Sequence, residues 1–232
     1  MYILGIETST KTGSVAVVSE AGVIAQYSLN IEVTHSERLM STVDRVLRDT
    51  GLAVADLDGF AVAIGPGSFT GLRIGISTVK GLALATGKPV AAVPTLQALA
   101  WNLPCSALPV CPLLDARKNE VYAALYAYDD SVLVQMMPET VVSLSRLADQ
   151  IKEKTVFSGE GAHIYRADIE KNFGARALFA PLSASLPSGA SVAELGLGMI
   201  TAGKQADPDA LIPKYIRRPE AEVAWEKRQT SR

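Results

Sequence analysis

The stretch Gly65-Pro-Gly-Ser-Phe-Thr-Gly-Leu-Arg-Ile-Gly75 constrains this chain more than any other. It follows an apolar run, Phe60 to Ile64, that reads as a buried strand, and it leads into a long apolar segment that stops at Gly87. It is therefore a strand-to-helix turn. Glycine permits positive φ and lets another backbone or a ligand come close. Ser68 or Thr70 can cap the helix by accepting from its first free N–H groups. Those N–H groups and the helix dipole also make such an end an anion site. A tight connection between strand and helix needs glycine in any case, and both readings stand at this point.

The helix that follows carries more information. With Leu72 as reference and about 100° per residue, Leu72, Ile76, Val79 and Ala83 form the core stripe, and Arg73 and Lys80 share one flank. The opposite face holds Ile74, Thr78, Gly81 and Ala85, with Gly71, Gly75 and Leu82 beside them. A helix that is apolar nearly all round is buried nearly all round, and small residues let a neighbouring helix approach. The second face is covered either from within the same domain or by another subunit. In the second case the helix from Ser36 to Thr50, with Leu39 and Val43 on its apolar face, lies alongside.

The length of 232 residues allows one large domain or two small ones. Apolar content of 48% against 20% charged residues supports a well-formed core. A net charge of −2 argues against a stand-alone nucleic-acid binder, which carries a basic domain, while leaving room for a subunit whose partner holds the RNA. The two cysteines, Cys105 and Cys111, read as reduced thiols of a cytoplasmic protein. No basic segment with an apolar signal core opens the chain, and no run approaches the ~18 apolar residues of a membrane span.

Taken in order, strands at 2–6, 14–18 and 23–29 precede the helix from Ser36, which Gly51 stops. The strand at 60–64, the glycine turn, a helix to residue 86, a strand at 89–93 and a helix from Thr95 to Trp101 complete the first unit. Three prolines between Asn102 and Pro112 mark a connector. The order then starts again: strands at 110–114, 120–128 and 132–137, a helix from Ser143 to Glu153, a strand at 155–157, a glycine loop at 158–162, a helix over 163–173, and a closing helix from Ala190 to Gly203. Two units of like order predict an α/β fold of two lobes, residues 1–103 and 104–207, each a mixed sheet flanked by helices and facing a cleft, with a tail over 208–232.

That architecture resembles the actin, Hsp70 and sugar-kinase (ASKHA) superfamily, whose two RNase H-like lobes each place a polar hairpin at the phosphates of a nucleotide. The resemblance puts Glu7, Thr8, Ser9 and Thr10 on one hairpin and Asp115 and Arg117 on the other, with Gly159 and Gly161 where adenosine binds.

Five motifs occur in order: Ile6-Glu-Thr-Ser-Thr10, the eleven-residue glycine stretch, Asp115-Ala-Arg-Lys-Asn-Glu-Val-Tyr122, Gly159-Glu-Gly-Ala162 and Pro213-Lys-Tyr-Ile-Arg217. Together they resemble the TsaB (YeaZ) family, over nearly the whole chain. The resemblance implies a scaffold and activator without chemistry of its own, in the bacterial system that makes threonylcarbamoyladenosine beside the anticodon of tRNAs reading codons that start with A. It implies pairing with TsaD, the transferase, through N-lobe helices, recruitment of TsaE, an ATPase, and a homodimer when TsaD is lacking. It also implies tRNA contact only through the complex, no cofactor or metal of its own, and at most ATP or ADP at the joint between subunits. Leu39, Val43, Gly71, Ile74, Gly75, Thr78, Gly81, Leu82 and Ala85 are the interface this predicts.

The residues support the non-catalytic side. The transferase relative carries a His-x-x-x-His pair, whose i, i+4 spacing grips one metal; Thr95 and Leu99 stand at those positions here, and leucine cannot be a ligand. His35 and His163 have no partner at metal spacing, and no Ser/His/acid set can be assembled. Asp115 can hold a metal or water for phosphoryl transfer, though a turn residue capping its own backbone is the simpler reading. Glu7, where kinase relatives place an aspartate that organises Mg²⁺, has the same two readings. Arg73, Lys80, Arg217 and Arg218 can meet tRNA phosphate, against a solvated surface, which the net acidic charge favours. The competing function is an ATP-dependent phosphotransferase or ATPase of the same superfamily.

Overall fold

Residues 3–7 are apolar but for the last, and all are buried, so this strand lies inside a sheet covered on both faces. The computed structural model describes residues 1–30 and 35–217, and Arg218 with the tail beyond it lies outside the described residues. The first sheet holds β1 (Ile3–Glu7), β2 (Gly13–Ser19), β3 (Gly22–Leu29), β4 (Gly59–Gly65) and β5 (Val90–Pro94), in the order β3-β2-β1-β4-β5. β1 pairs antiparallel with β2 and parallel with β4, and β4 pairs parallel with β5. The second sheet holds β6 (Val110–Asp115), β7 (Glu120–Asp129), β8 (Val132–Ser143), β9 (Thr155–Ser158) and β10 (Ala177–Phe179), in the order β10-β9-β6-β7-β8. Read from the other edge, the second order repeats the first strand for strand, including the switch from antiparallel to parallel pairing at β6. The repeat expected from element order is thus a repeat of topology.

Seven helices among the described residues cover the sheets: α1 (His35–Thr50), α2 (Phe69–Thr86), α3 (Thr95–Trp101), α4 (Leu144–Gln150), α5 (Glu160–Ile164), α6 (Arg166–Phe173) and α7 (Gly189–Thr201). Period-two alternation sends Leu4, Ile6, Val15, Val17, Phe60 and Val62 to one face, where Leu39, Val43, Val46 and Leu47 of α1 and Ile76, Val79 and Ala83 of α2 meet them. Each such fully buried side chain contributes roughly 1.5–3 kcal/mol. The other face, Ile3, Ala16, Val18, Ala61, Ala63, Ala91 and Val93, meets α7.

That placement differs from the expectation that the helix beginning near Ala190 closes the second unit. The reason is steric. A Cβ on Gly5 or on Gly196 would come closer than 3.0 Å to the facing element, so α7 lies almost on the sheet backbone. α3 makes the reciprocal move. Leu96, Leu99 and Ala100 pack with Val110, Leu114, Ala124 and Tyr126 of the second sheet, while Ala98 joins the α7 side of the first.

Three smaller differences are local. β8 runs on to Ser143, past Pro138, because it is an edge strand on which proline removes no ladder hydrogen bond that the sheet needs. The helix after Ser143 ends at Gln150, and Ser143 makes no side-chain cap. The single helix expected over 163–173 is two helices that break at Tyr165.

Candidate functional site

Two of the sequence motifs are mates. Ser68 caps α2, its Oγ accepting from Gly71 N at 3.2 Å, and Gly87 ends the helix in the left-handed region at φ 67°. Gly71 and Gly75 leave a notch on α2, and Thr8 of the β1–β2 turn fills it: Thr8 Oγ1 donates to Gly71 O at 2.8 Å. A Cβ on either glycine would come closer than 3.0 Å to Thr8. Ser68 N donates to Ser9 O at 2.6 Å, and Gly67 presses on Ser9. From the other side His35 Nε2 lies 2.7 Å from Thr10 O. The helix N-terminus therefore receives the chain's own hairpin, with Ser68 N and Gly71 N already engaged.

Thr8, Ser9 and Thr10 are buried accordingly, and so is Glu7. Glu7 Oε1 accepts from Ser9 N at 2.5 Å, while Oε2 and the Ser9 hydroxyl have no hydrogen-bond partner among the described residues. Burial pushes the Glu7 carboxyl up to about 7, with the Ser9 contacts pulling the other way. This closed hairpin does not fit a nucleotide phosphate, which would need its N–H groups and hydroxyls to face a cleft.

The second hairpin is a turn of three consecutive residues at positive φ: Arg117 at 60°, Lys118 at 56° and Asn119 at 58°. Asp115 holds it, with Oδ1 accepting from Arg117 N at 2.8 Å and from the Tyr165 hydroxyl at 2.8 Å. Glu160, at the start of α5, is pushed up by burial and by Asp115, with Lys11 of the first hairpin opposing. Gly159 and Gly161 lie against the backbone of Leu113, which leaves no room for a Cβ on either. They are small so that α5 can seat on β6. Of the expected nucleotide residues, Arg117 alone stands exposed.

The expected interface divides in two. Leu39 and Val43 are core residues beneath the first sheet, and Gly71 and Gly75 face Thr8, so these four are corrected from partner surface to internal packing. The buried arc of α2 is centred about 30° from Leu72 toward the glycines. Ile74, Thr78 and Leu82 are half-buried, Gly81 and Ala85 are exposed, and nothing described lies within 4 Å of a Cβ placed on Gly81. Sequence reasoning missed Leu84, which is 87% exposed beside them; its position about 120° round the helix could have flagged it. No charged side chain interrupts this face. The two charges of α2 lie on the flank that borders Leu84 and are engaged by the chain itself: Arg73 Nε donates to the Tyr215 hydroxyl at 3.0 Å and Lys80 Nζ to Asp209 O at 3.1 Å. Arg217 donates to Ala116 O at 2.7 Å and to Glu120. These three cations serve the fold, and the fourth tRNA candidate, Arg218, lies outside the described residues.

Thr95 and Leu99 are both fully buried on α3. No group of three or more His, Cys, Asp or Glu placed to hold a metal occurs among the described residues, and no described helix is long and apolar enough to cross a membrane.

A family model described as TsaD, tRNA N6-adenosine threonylcarbamoyltransferase, matches residues 23–225. The chain is 35% identical to the tRNA threonylcarbamoyladenosine biosynthesis protein TsaB of Bacillus subtilis, over 97% of this chain and 98% of that protein. It is 31% identical to the TsaB of Escherichia coli, over 98% of each. A crystal structure from Pseudomonas aeruginosa, described as an uncharacterized protein with similarity to peptidase YEAZ, superposes with a TM-score of 0.81 at 30% identity, covering 93% of this chain and 99% of that one. A ROK hexokinase from Thermus thermophilus superposes over 87% of this chain and 100% of its own at a TM-score of 0.53 and 13% identity, which marks the shared actin-like fold.

Proposed function

The chain belongs to the TsaB family of tRNA threonylcarbamoyladenosine biosynthesis proteins, and from that membership we propose that it is a non-catalytic subunit that pairs with a TsaD-type transferase through the outer face of α2. The observation that carries the reading is that face: Ile74, Thr78, Gly81, Leu82, Leu84 and Ala85 present an apolar surface without a charge. A helix face of this kind belongs against another helix. Gly81 lets the partner approach, and Leu84 supplies apolar area at the contact.

In this reading the chain supplies a surface and leaves the chemistry to the paralogue, which a TsaE-type ATPase joins. Leucine at position 99 offers no metal ligand, and Asp115 is committed to its own turn and to Tyr165. The latter also weighs against the phosphotransferase reading, which needs that carboxylate free for a metal or water. An adenine nucleotide belongs to the joint between subunits in this proposal, and tRNA is met through the complex. Alone, the same face pairs with its own copy.

Light scattering on gel-filtered protein mixed with its cognate TsaD-type paralogue tests the pairing. The expected result is a mass of one of each, lost in Gly81→Arg without loss of thermal stability. Two unmixed peaks for the parent, or a complex indifferent to both Gly81→Arg and Leu84→Asp, would overturn the proposal.

A further inference from the structure

The segment from Ala206 to Arg217 runs from one lobe to the other and is held to both. Ala206 bridges to Val90 at the start of β5, with Ala206 N donating to Val90 O at 2.7 Å. Leu211 enters the core under α2. Lys214 N donates to Ile64 O at 2.7 Å, beyond the last pair that β4 makes with β1. Gly65 leaves room for this passage: a Cβ there would stand 2.8 Å from Lys214 O. Tyr215 then stacks on Phe69, the first residue of α2, with ring centroids 5.2 Å apart, and the Arg73 guanidinium lies 3.9 Å from the same Phe69 ring.

The side chains of the same few residues reach the second lobe. Lys214 Nζ meets Glu139 of β8 at 2.5 Å, and the Glu139 side chain is only 2% exposed. Arg217 grips the β6–β7 turn at Ala116 O and Glu120. The segment's backbone and aromatic ring thus belong to the first lobe, and its two cationic side chains to the second.

One of the other described contacts between the lobes is of a different kind. α3 meets the second sheet through Leu96, Leu99 and Ala100, an apolar joint. Apolar contact is non-directional, so such a joint can rotate with little loss. The charge-assisted hydrogen bonds that Arg217 donates from two nitrogens fix both distance and direction, and the Lys214–Glu139 ion pair adds a second tie across the lobes.

We propose that residues 206–217 are a latch: α3 is the pivot between the lobes, and Lys214 and Arg217 set the angle about it. Releasing the two hooks lets the second lobe turn away from the first on α3. The hooks engage the β6–β7 turn and β8, neither of which is part of the outer face of α2, so the inference does not rest on the pairing proposed above.

Spin labels read the angle directly. Ala55→Cys and Asp149→Cys place one exposed label on each lobe of the full chain in a Cys105→Ser background; Cys111 is buried. The parent is expected to give one narrow interlobe distance. Arg217→Ala is expected to broaden it, and Arg217→Ala with Lys214→Met and Glu139→Gln to add a population at a shifted distance. Glu139→Gln accompanies Lys214→Met so that no buried carboxylate is left without its cation. If the triple variant fails to fold, Arg217→Ala decides alone, since that side chain is only part-buried. A distance distribution unchanged from the parent in folded Arg217→Ala, whatever happens to its melting temperature, would overturn the latch.

Discussion

Gly71 and Gly81 occupy the same helix, both at ordinary helical φ, and the same substitution at each should move stability in opposite directions. In Gly81→Ala the new methyl enters open space. It gains the helix preference of alanine over glycine, about 1 kcal/mol. In Gly71→Ala the methyl would lie closer than 3.0 Å to the Thr8 carbonyl oxygen, and it would also crowd the His35 ring, whose Cδ2 would stand at 3.3 Å. A backbone carbonyl of the β1–β2 turn cannot turn aside as a side chain can, so either that turn or α2 must shift. Overpacking of this kind costs about 3 kcal/mol. The shift also strains the Thr8 Oγ1 to Gly71 O hydrogen bond, for about 1 kcal/mol more. Against the same gain of about 1 kcal/mol in helix preference, Gly71→Ala is destabilising by about 3 kcal/mol. For a chain of this size each kcal/mol moves the midpoint by roughly 2–4 °C. Thermal unfolding followed by circular dichroism should therefore lower the midpoint by roughly 6–12 °C for Gly71→Ala and raise it by roughly 2–4 °C for Gly81→Ala. Urea unfolding should shift its midpoint the same way at constant slope. Equal shifts, or a stabilised Gly71→Ala, would refute the notch.

Glu7 gives a pH signature. Its folded value of about 7 lies above the usual 4.5 because burial disfavours the charge, so between those values the folded chain binds a proton that the unfolded chain has lost. Stability contributed by this group is present below pH 4.5 and is lost as pH rises toward 7, on the order of 3 kcal/mol in all. Urea unfolding at a series of pH values should show that slope flattened in Glu7→Gln, and an unchanged slope would exclude Glu7 as its source. The two thiols should separate cleanly under a thiol reagent in native buffer. Cys105 is exposed and reacts at once, whereas Cys111 is buried, its thiol pushed up by desolvation, and reacts only on unfolding; two fast equivalents would contradict its burial.

The strands and turns were legible because apolar runs of strand length were punctuated by glycine, proline and small polar residues, and the order of elements carried the repeat. Family membership was legible from the five motifs and is supported by relatives that match nearly end to end. The placement of α7 was not legible. Its sequence, Gly189-Ala-Ser-Val-Ala-Glu-Leu-Gly-Leu-Gly-Met-Ile-Thr201, announces burial, but periodicity does not say against which sheet. Gly71 and Gly75 misled for a related reason. Smallness marks close approach without naming the neighbour, and the neighbour was Thr8, 63 residues from Gly71 in sequence. Leu39 and Val43 stand on the one apolar stripe of α1, which the chain's own core uses up.

The exchange of helices between the lobes has a consequence for the order in which the protein can be made. One face of the first sheet, with Ile3, Val18, Ala61 and Val93 on it, is covered by residues that a ribosome adds only after every strand of both sheets. Domains ordinarily fold in turn as they emerge. Here the first lobe must wait, with an apolar sheet face open, through the synthesis of the whole second one. A chain stopped before Gly189 would keep every strand of both sheets and still lack the cover for the first.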